Sequence, residues 1–274
     1  MDDATTIPGR NPTSAAAPVA PGSRDARTAA AWVPAQPRAG RAGDQAPVTT
    51  HRLPRVRVVD RDEFLLGAAA GRVVTHVGFV DATVRDDIAR TDGRWLHARL
   101  AGVARDLVGV DINVDGVAGA RAAGYEAHAI DCEDPADIAR AAIRPAELVV
   151  VGEVIERVDG VGAFLDGLRA LTTPDGTMIV TASNAFRLMN LAATLTGREL
   201  AHPRHVSRFS WYTLVNVLER NSWQVVAFHP YEDSEGAAPG RARTVLAAER
   251  AARLFAPFLA SGLIAVCRQA PSTG

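Results

Sequence analysis

Residues Glu147–Phe186 read ELVVVGEVIERVDGVGAFLDGLRALTTPDGTMIVTASNAF, and the order of apolar and polar positions in this stretch decides the fold. Glu147 to Val151 is apolar after its first residue and shows no alternation, which predicts a strand in the middle of a parallel sheet, covered on both faces. The run breaks at Gly152-Glu153. Val161, Phe164, Leu165, Leu168 and Leu171 then recur at helical spacing. Pro174-Asp175-Gly176 closes that helix and turns the chain into a second apolar strand at 177–181. Strand, helix and strand in this order form a parallel unit.

The same alternation extends outward in both directions. Upstream, a helix around 60–70 leads through Gly71 to a β-branched strand at 72–77 that ends in Gly78. A helix at 95–105, a strand at 106–112, a helix at 114–123, a strand at 126–130 and a helix at 136–142 follow. Downstream come a helix at 211–220, a strand at 224–228, an Ala/Arg-rich helix at 243–258 and a last strand at 263–267. The expected fold is therefore α/β: a Rossmann-like, seven-stranded, mostly parallel sheet with helices on both faces and an antiparallel last strand. Residues 1–50, rich in Ala, Pro, Gly and Arg, bury too little apolar surface to fold and are expected to form a disordered tail. Residues 51–274 form the domain.

The chain has 274 residues, 47% of them hydrophobic, and a formal net charge of -1, which gives it no electrostatic footprint for nucleic acid or an anionic membrane. All 30 basic residues are Arg; a GC-rich coding sequence explains that more simply than guanidinium chemistry. Cys132 and Cys267 are far apart and without metal-ligand spacing, as expected of a reducing, cytoplasmic setting. No apolar run reaches the length of a spanning helix.

In an open parallel sheet, ligands bind outside the carboxyl ends of the strands, where the strand order reverses. The residues expected there are His76, Gly78, Phe79 and Asp81 after the first strand, Asp111-Ile112 after the second, Asp131-Cys132 after the third, and Gly152-Glu153 after the fourth. A carboxylate at the second strand end can accept hydrogen bonds from two ribose hydroxyls, and a polar group at the third can reach an adenine amino group. For any one of these carboxylates, a helix cap or a solvated charge is the simpler reading. Their ordered recurrence suggests an adenosine-shaped site.

The stretch quoted above resembles the fourth-to-fifth-strand region of class I S-adenosylmethionine-dependent methyltransferases, which run from a valine-rich strand through Gly-Glu-Val-Ile-Glu-His to a strand ending in Pro-Asn. The later segment His205-Val206-Ser207-Arg208-Phe209-Ser210 is similar to the His-Val-x-x-Phe-Ser of many small-molecule members. The resemblance implies S-adenosylmethionine as cofactor, with Gly78 and its neighbours beside the methionine part and Asp111 on the ribose. It further implies Ile112 against the adenine, Asp131 and Cys132 at its edge, and Glu153 and Val154 on the pocket floor. Two features depart from the family pattern. The acidic-x-Gly-x-Gly-x-Gly loop is reduced here to His76-Val77-Gly78-Phe79-Val80-Asp81, leaving His76 or Asp81 to replace the acidic contact to the methionine ammonium. Arg157 stands where the family often has His, and cannot act as a base.

The segment 184–212 is expected to cover the same end of the sheet as a cap, with Asn184, His202, Trp211 and Tyr212 facing a substrate. His205 is the candidate general base, because imidazole titrates near neutrality, although a capping role is equally open to it. The implied activity is methylation of a small molecule, first of all of a sugar-like or secondary-metabolite hydroxyl. A methyltransferase-like fold without catalysis, acting as a binding or scaffold protein, is the alternative. A nicotinamide-dependent oxidoreductase fits less well, since Gly-x-Gly-x-x-Gly is absent after the first strand. The partners implied are a small-molecule acceptor, no nucleic acid and no membrane, with room for a homodimer. No metal site is expected.

Overall fold

The computed structural model describes residues 50–80, 95–232 and 255–271. The expected tail before residue 50, Asp81, and residues 243–254 of the expected Ala/Arg-rich helix lie outside these. Eight strands form one sheet: β1 Val59–Asp60, β2 Val73–Val77, β3 Asp106–Asp111, β4 Ala127–Ala129, β5 Ala146–Gly152, β6 Thr172–Ser183, β7 Trp223–Glu232 and β8 Gly262–Gln269. Their spatial order is β1-β7-β8-β6-β5-β2-β3-β4. All neighbours pair in parallel except β8, which runs antiparallel between β6 and β7.

The described helices are α1 Arg61–Ala69, α2 Leu96–Ala101, α3 Val114–Ala122, α4 Pro135–Ala141, α5 Val161–Ala170, α6 Leu188–Leu195 and α7 Trp211–Arg220. Apart from α6, they cover the sheet on both faces, as the unbroken apolar run of β5 requires. Val149 and Val151 join Phe164, Leu165 and Leu168 of α5 and Leu214 and Leu218 of α7 in the larger core. Leu148 and Val150 face the other way, toward Leu65 of α1 and Leu100 of α2. Successive residues of a strand point to opposite faces, so burial on both faces favours the unbroken apolar run seen in β5. Helix starts are fixed locally. Asp60 caps α1 by accepting from Glu63 N at 2.9 Å, Asp134 caps α4 with Pro135 in its first turn, and Ser210 and Thr213 form a reciprocal capping box on α7.

Four details differ from the sequence-based expectation. An eighth strand, β1, adds to the seven expected; two residues are too few to show a period. Strand β6 begins at Thr172, not at 177, because Pro174-Asp175-Gly176 is looped out within it: Ala146 pairs with Thr172 and Leu148 already with Thr177. Helix α6, not among the expected helices, stands inside the segment expected to be a cap. The helix expected to reach residue 258 gives way to a 3-10 turn at Pro257–Leu259, preceded by Ala256 at φ -134°, since proline lacks an N–H and disfavours helical geometry before it.

Between β2, α2 and α3 lies a buried histidine pair. His76 and His97 stack with ring centroids 5.4 Å apart, and their Nδ1 atoms are 3.2 Å apart. Burial, aided by the neighbouring His97, pushes the His76 imidazole well below its ordinary value, and burial lowers His97 from 6.5 to about 4. Below 6.5 the unfolded chain therefore binds protons that the folded chain does not, and stability drains away as pH falls from 6.5 towards 4. His97 alone should account for a loss of roughly 3 kcal/mol across that window. Urea unfolding followed against pH checks this, with His97→Phe expected to flatten the acid limb.

Candidate functional site

Strand order reverses at β2, which has β5 on one side and β3 on the other, so the crevice expected of such sheets opens at the carboxyl ends of these three strands. A cavity of about 250 Å³ lies there, with Asp111, Ile112, Asp131, Cys132, Val154 and Arg157 in its wall. Asp111 ends β3. Its Oδ2 accepts from Val80 N and its Oδ1 from Asn113 N, both at 2.9 Å, which fixes the carboxylate in the crevice. Burial raises its pKa, against the lowering effect of these backbone donors and of Arg157. Each oxygen retains a lone pair for a further donor. Ile112 beside it is 69% exposed, an apolar surface open to a planar ligand.

At the next strand end, Asp131 Oδ1 accepts from Glu133 N at 2.8 Å, and Glu133 Oε2 accepts from Gly160 N at 2.7 Å. The loop after β4 is thereby tied to the start of α5. Burial pushes the Cys132 thiol up to about 12, so it stays protonated. Gly167 lets α5 come this close, since a Cβ there would sit 2.1 Å from the Cys132 carbonyl oxygen.

A second cavity, of about 410 Å³, adjoins the first through Arg157, which lines both. Glu153, Asn184, Arg187, His202 and His205 also line it. Glu153 adopts the left-handed conformation at φ 52°, uncommon for a side chain with a Cβ, and accepts a hydrogen bond from the Tyr231 hydroxyl. Glu156 is 1% exposed, and burial raises its pKa. Its Oε1 accepts from Ser183 N and Oγ, and its main-chain oxygen accepts from Val206 N at 2.9 Å and Ser207 N at 3.1 Å. Those last two bonds stitch the 202–208 segment to the end of β5 and place His205 over the cavity. The His202 and His205 rings lie 4.9 Å apart. Burial lowers the pKa of His205, and the Arg157 guanidinium lowers it further.

Not all expected site residues arrive. His76 lies on the α1–α2 side of β2, because alternation puts it on the face of Val74 and opposite that of Val73 and Val77. Phe79 is buried against Trp95 and His97, away from both cavities. Trp211 sits on the apolar stripe of α7 with Leu214, Val215 and Leu218, packed towards Phe258, and Tyr212 stacks on His51 at 4.3 Å. None of these four lines either cavity. Asn184 reaches the second cavity while its side-chain amide holds the Phe258 and Ala260 carbonyls at 2.7 and 2.8 Å. Arg157 and Arg187 line the walls, and Glu156 lies buried behind them; none of the three was among the expected site residues. The signal for Arg157 in the sequence is the cation itself, standing a few residues beyond Gly152, the end of β5, where the family pattern has His.

Gly78 borders the first cavity, but the space above its Cα is taken: a Cβ there would fall 1.9 Å from Val154 Cγ2. Its φ of 73° independently requires glycine.

No family model matches the sequence, and no curated protein matches it. Solved structures are similar in fold at low identity. The complex between the Haloferax volcanii Trm112 methyltransferase activator and a methyltransferase is 13% identical over 77% of this chain and 89% of that one, with a TM-score of 0.50. A SAM dependent methyltransferase from Archaeoglobus fulgidus is 15% identical over 76% of this chain and 94% of its own, at 0.47. The N-methyltransferase NodS from Bradyrhizobium japonicum, in complex with S-adenosyl-L-homocysteine, is 14% identical over 76% and 85%, at 0.46. The architecture is the Rossmann-like fold of methyltransferases.

Because both backbone and contact demand glycine at position 78, Gly78→Ala should destabilise the protein by about 3 kcal/mol. In the double variant with Val154→Ala the steric part should be recovered and the backbone part should remain, a non-additivity that chemical denaturation of the four-member cycle measures.

Proposed function

We propose that this chain is an S-adenosylmethionine-dependent methyltransferase acting on a small molecule, with a sugar-like or secondary-metabolite hydroxyl as the acceptor. The observation that carries the proposal is the pairing of two adjoining cavities at the topological switch, one built around Asp111 and the other holding an imidazole. Two cavities meeting at one wall suit a two-substrate reaction. The residues of the first fit the cofactor: the Asp111 oxygens have capacity left for ribose hydroxyls, Ile112 offers an apolar face, and the Asp131-Cys132 edge can meet an adenine. Once bound, the cofactor supplies an electrophilic methyl group on a sulfonium. The second cavity then orients the acceptor, and a ring nitrogen of neutral His205 takes the hydroxyl proton. The lowered pKa of His205 suits that role, since it keeps the ring unprotonated at neutral pH.

Soluble, cytoplasmic action is part of the proposal. Cys132 and Cys267 are buried as free thiols, and no helix among the described residues is long and apolar enough to cross a membrane. One observation favours a second reading, a methyltransferase-like binding protein without catalysis: Val154 occupies the space over Gly78 where the glycine loop of the family meets its cofactor.

Calorimetric titration of the full chain with S-adenosylhomocysteine, with NAD as a control, separates the two. The catalytic reading expects binding of the former alone, weakened about tenfold or more in Asp111→Ala. No binding would leave the binding-protein reading standing. Independently, NMR titration should find the His205 imidazole below its ordinary value, and Arg157→Gln should raise it by removing the neighbouring cation.

A further inference from the structure

Seven arginines among the described residues are half-buried: Arg61, Arg72, Arg99, Arg157, Arg169, Arg187 and Arg208. Five have their guanidinium groups engaged. Arg61 and Arg99 bond the Asp62 carboxylate, Arg72 the Glu147 carbonyl, Arg169 the Asn221 carbonyl at 2.7 Å, and Arg208 the Leu200 carbonyl. Arg157 and Arg187 are different. Among the described residues neither side chain has a hydrogen-bond acceptor or an ion-pair partner, and Arg157 Nε is closed off from solvent with nothing to donate to. An exposed arginine can leave its donors to water, but a half-buried one has lost part of that water and needs replacement acceptors. Both of these exceptions line the second cavity.

The rest of the wall supports the same conclusion. Its charged lining consists of Arg157, Arg187 and Arg208 against Glu153; Arg208 is paired with Glu199 at 3.8 Å, which leaves Arg157 and Arg187 facing Glu153, itself already held by the Tyr231 hydroxyl. The cavity therefore carries an excess of positive charge in a chain whose overall formal charge is -1. Its volume of about 410 Å³ suits a small molecule and not a polymer. Guanidinium groups present planar forks of donors that match the oxygens of a carboxylate or a phosphate.

We propose that the methyl acceptor carries an oxyanion group, a carboxylate or a phosphate, which Arg157 and Arg187 hold in the second cavity beside His205. This rests on the methyltransferase reading and narrows its acceptor from a neutral hydroxyl compound to an anionic one. The anion anchors the molecule, while its hydroxyl is the group presented to the imidazole. Arg157, at the junction, sets how deep the anchored molecule sits relative to the first cavity.

The test reads the arginine Nε–Hε resonances of the ¹⁵N-labelled full chain, with the Arg157 and Arg187 signals assigned through Arg157→Gln and Arg187→Gln. Benzoate, inorganic phosphate and chloride are titrated separately, each with and without saturating S-adenosylhomocysteine. Both signals should shift saturably with benzoate or with phosphate and not with chloride, and the more effective probe distinguishes a carboxylate from a phosphate acceptor. Arg187→Gln should weaken that probe about tenfold, with the remaining spectrum reporting an intact fold. Shifts no larger than those with chloride would overturn the proposal. So would an Arg157 signal that responds to S-adenosylhomocysteine but to neither benzoate nor phosphate, since the guanidinium would then belong to the carboxylate of the cofactor. Failure of S-adenosylhomocysteine to bind, read in the same samples, would instead remove the methyltransferase premise, and the acceptor assignment with it.

Discussion

The two cavities described above are placed by the burial of one strand. From Leu148 to Val151, β5 is fully shut off from water, with helices on each side of the sheet. Along β5 the buried centre is an unbroken apolar run, and polarity resumes where the strand ends. It resumes abruptly: Gly152, then Glu153, Glu156 and Arg157 within a few residues. The crevice forms there because β2 and β3 end at the same level, bringing Asp111 to the opposite wall. The apolar centre and the polar rim are thus one feature of the sequence.

That relation explains what could be read in advance. Strand β5, helix α5 and the Asp111 strand end were legible, because double burial and helical periodicity leave unambiguous patterns. The strand-end carboxylates were legible as a set for the same reason, since topology alone brings consecutive strand ends together. Side-chain direction was not legible. His76 lies next to a strand end in sequence but points to the opposite face, a difference of one position in a period of two. Trp211 and Tyr212 looked like cap residues until the stripe of α7 oriented them towards the core and towards His51. Helix α6 did leave a signal, Leu188, Leu191, Ala192 and Leu195 at helical spacing, but the run is short and none of its residues is fully buried. Arginine content was misleading in another way: with guanidinium groups everywhere, the two that matter could be recognised only by their lack of acceptors.

The site is also held together by main-chain bonds more than by side-chain ones. The Glu156 carbonyl holds the segment bearing His205, the Val80 and Asn113 amides hold Asp111, and the Gly160 amide holds Glu133. Main-chain donors cannot rotate away as side chains can, so the crevice is shaped before any ligand enters it. The same economy of space appears at Gly78, where Val154 fills the room above the Cα.

Arg157 borders both cavities, and a charge shared between two sites makes each a reporter of the other. Its field stabilises the Asp111 carboxylate on one side and disfavours a proton on His205 on the other. An anion that neutralises it from the second cavity makes His205 a stronger base, and removes a counter-charge from Asp111. By thermodynamic reciprocity, whatever affinity the first occupant lends to or takes from the second, the second returns in equal measure. Occupancy of the two cavities and the protonation of His205 are therefore coupled through a single guanidinium.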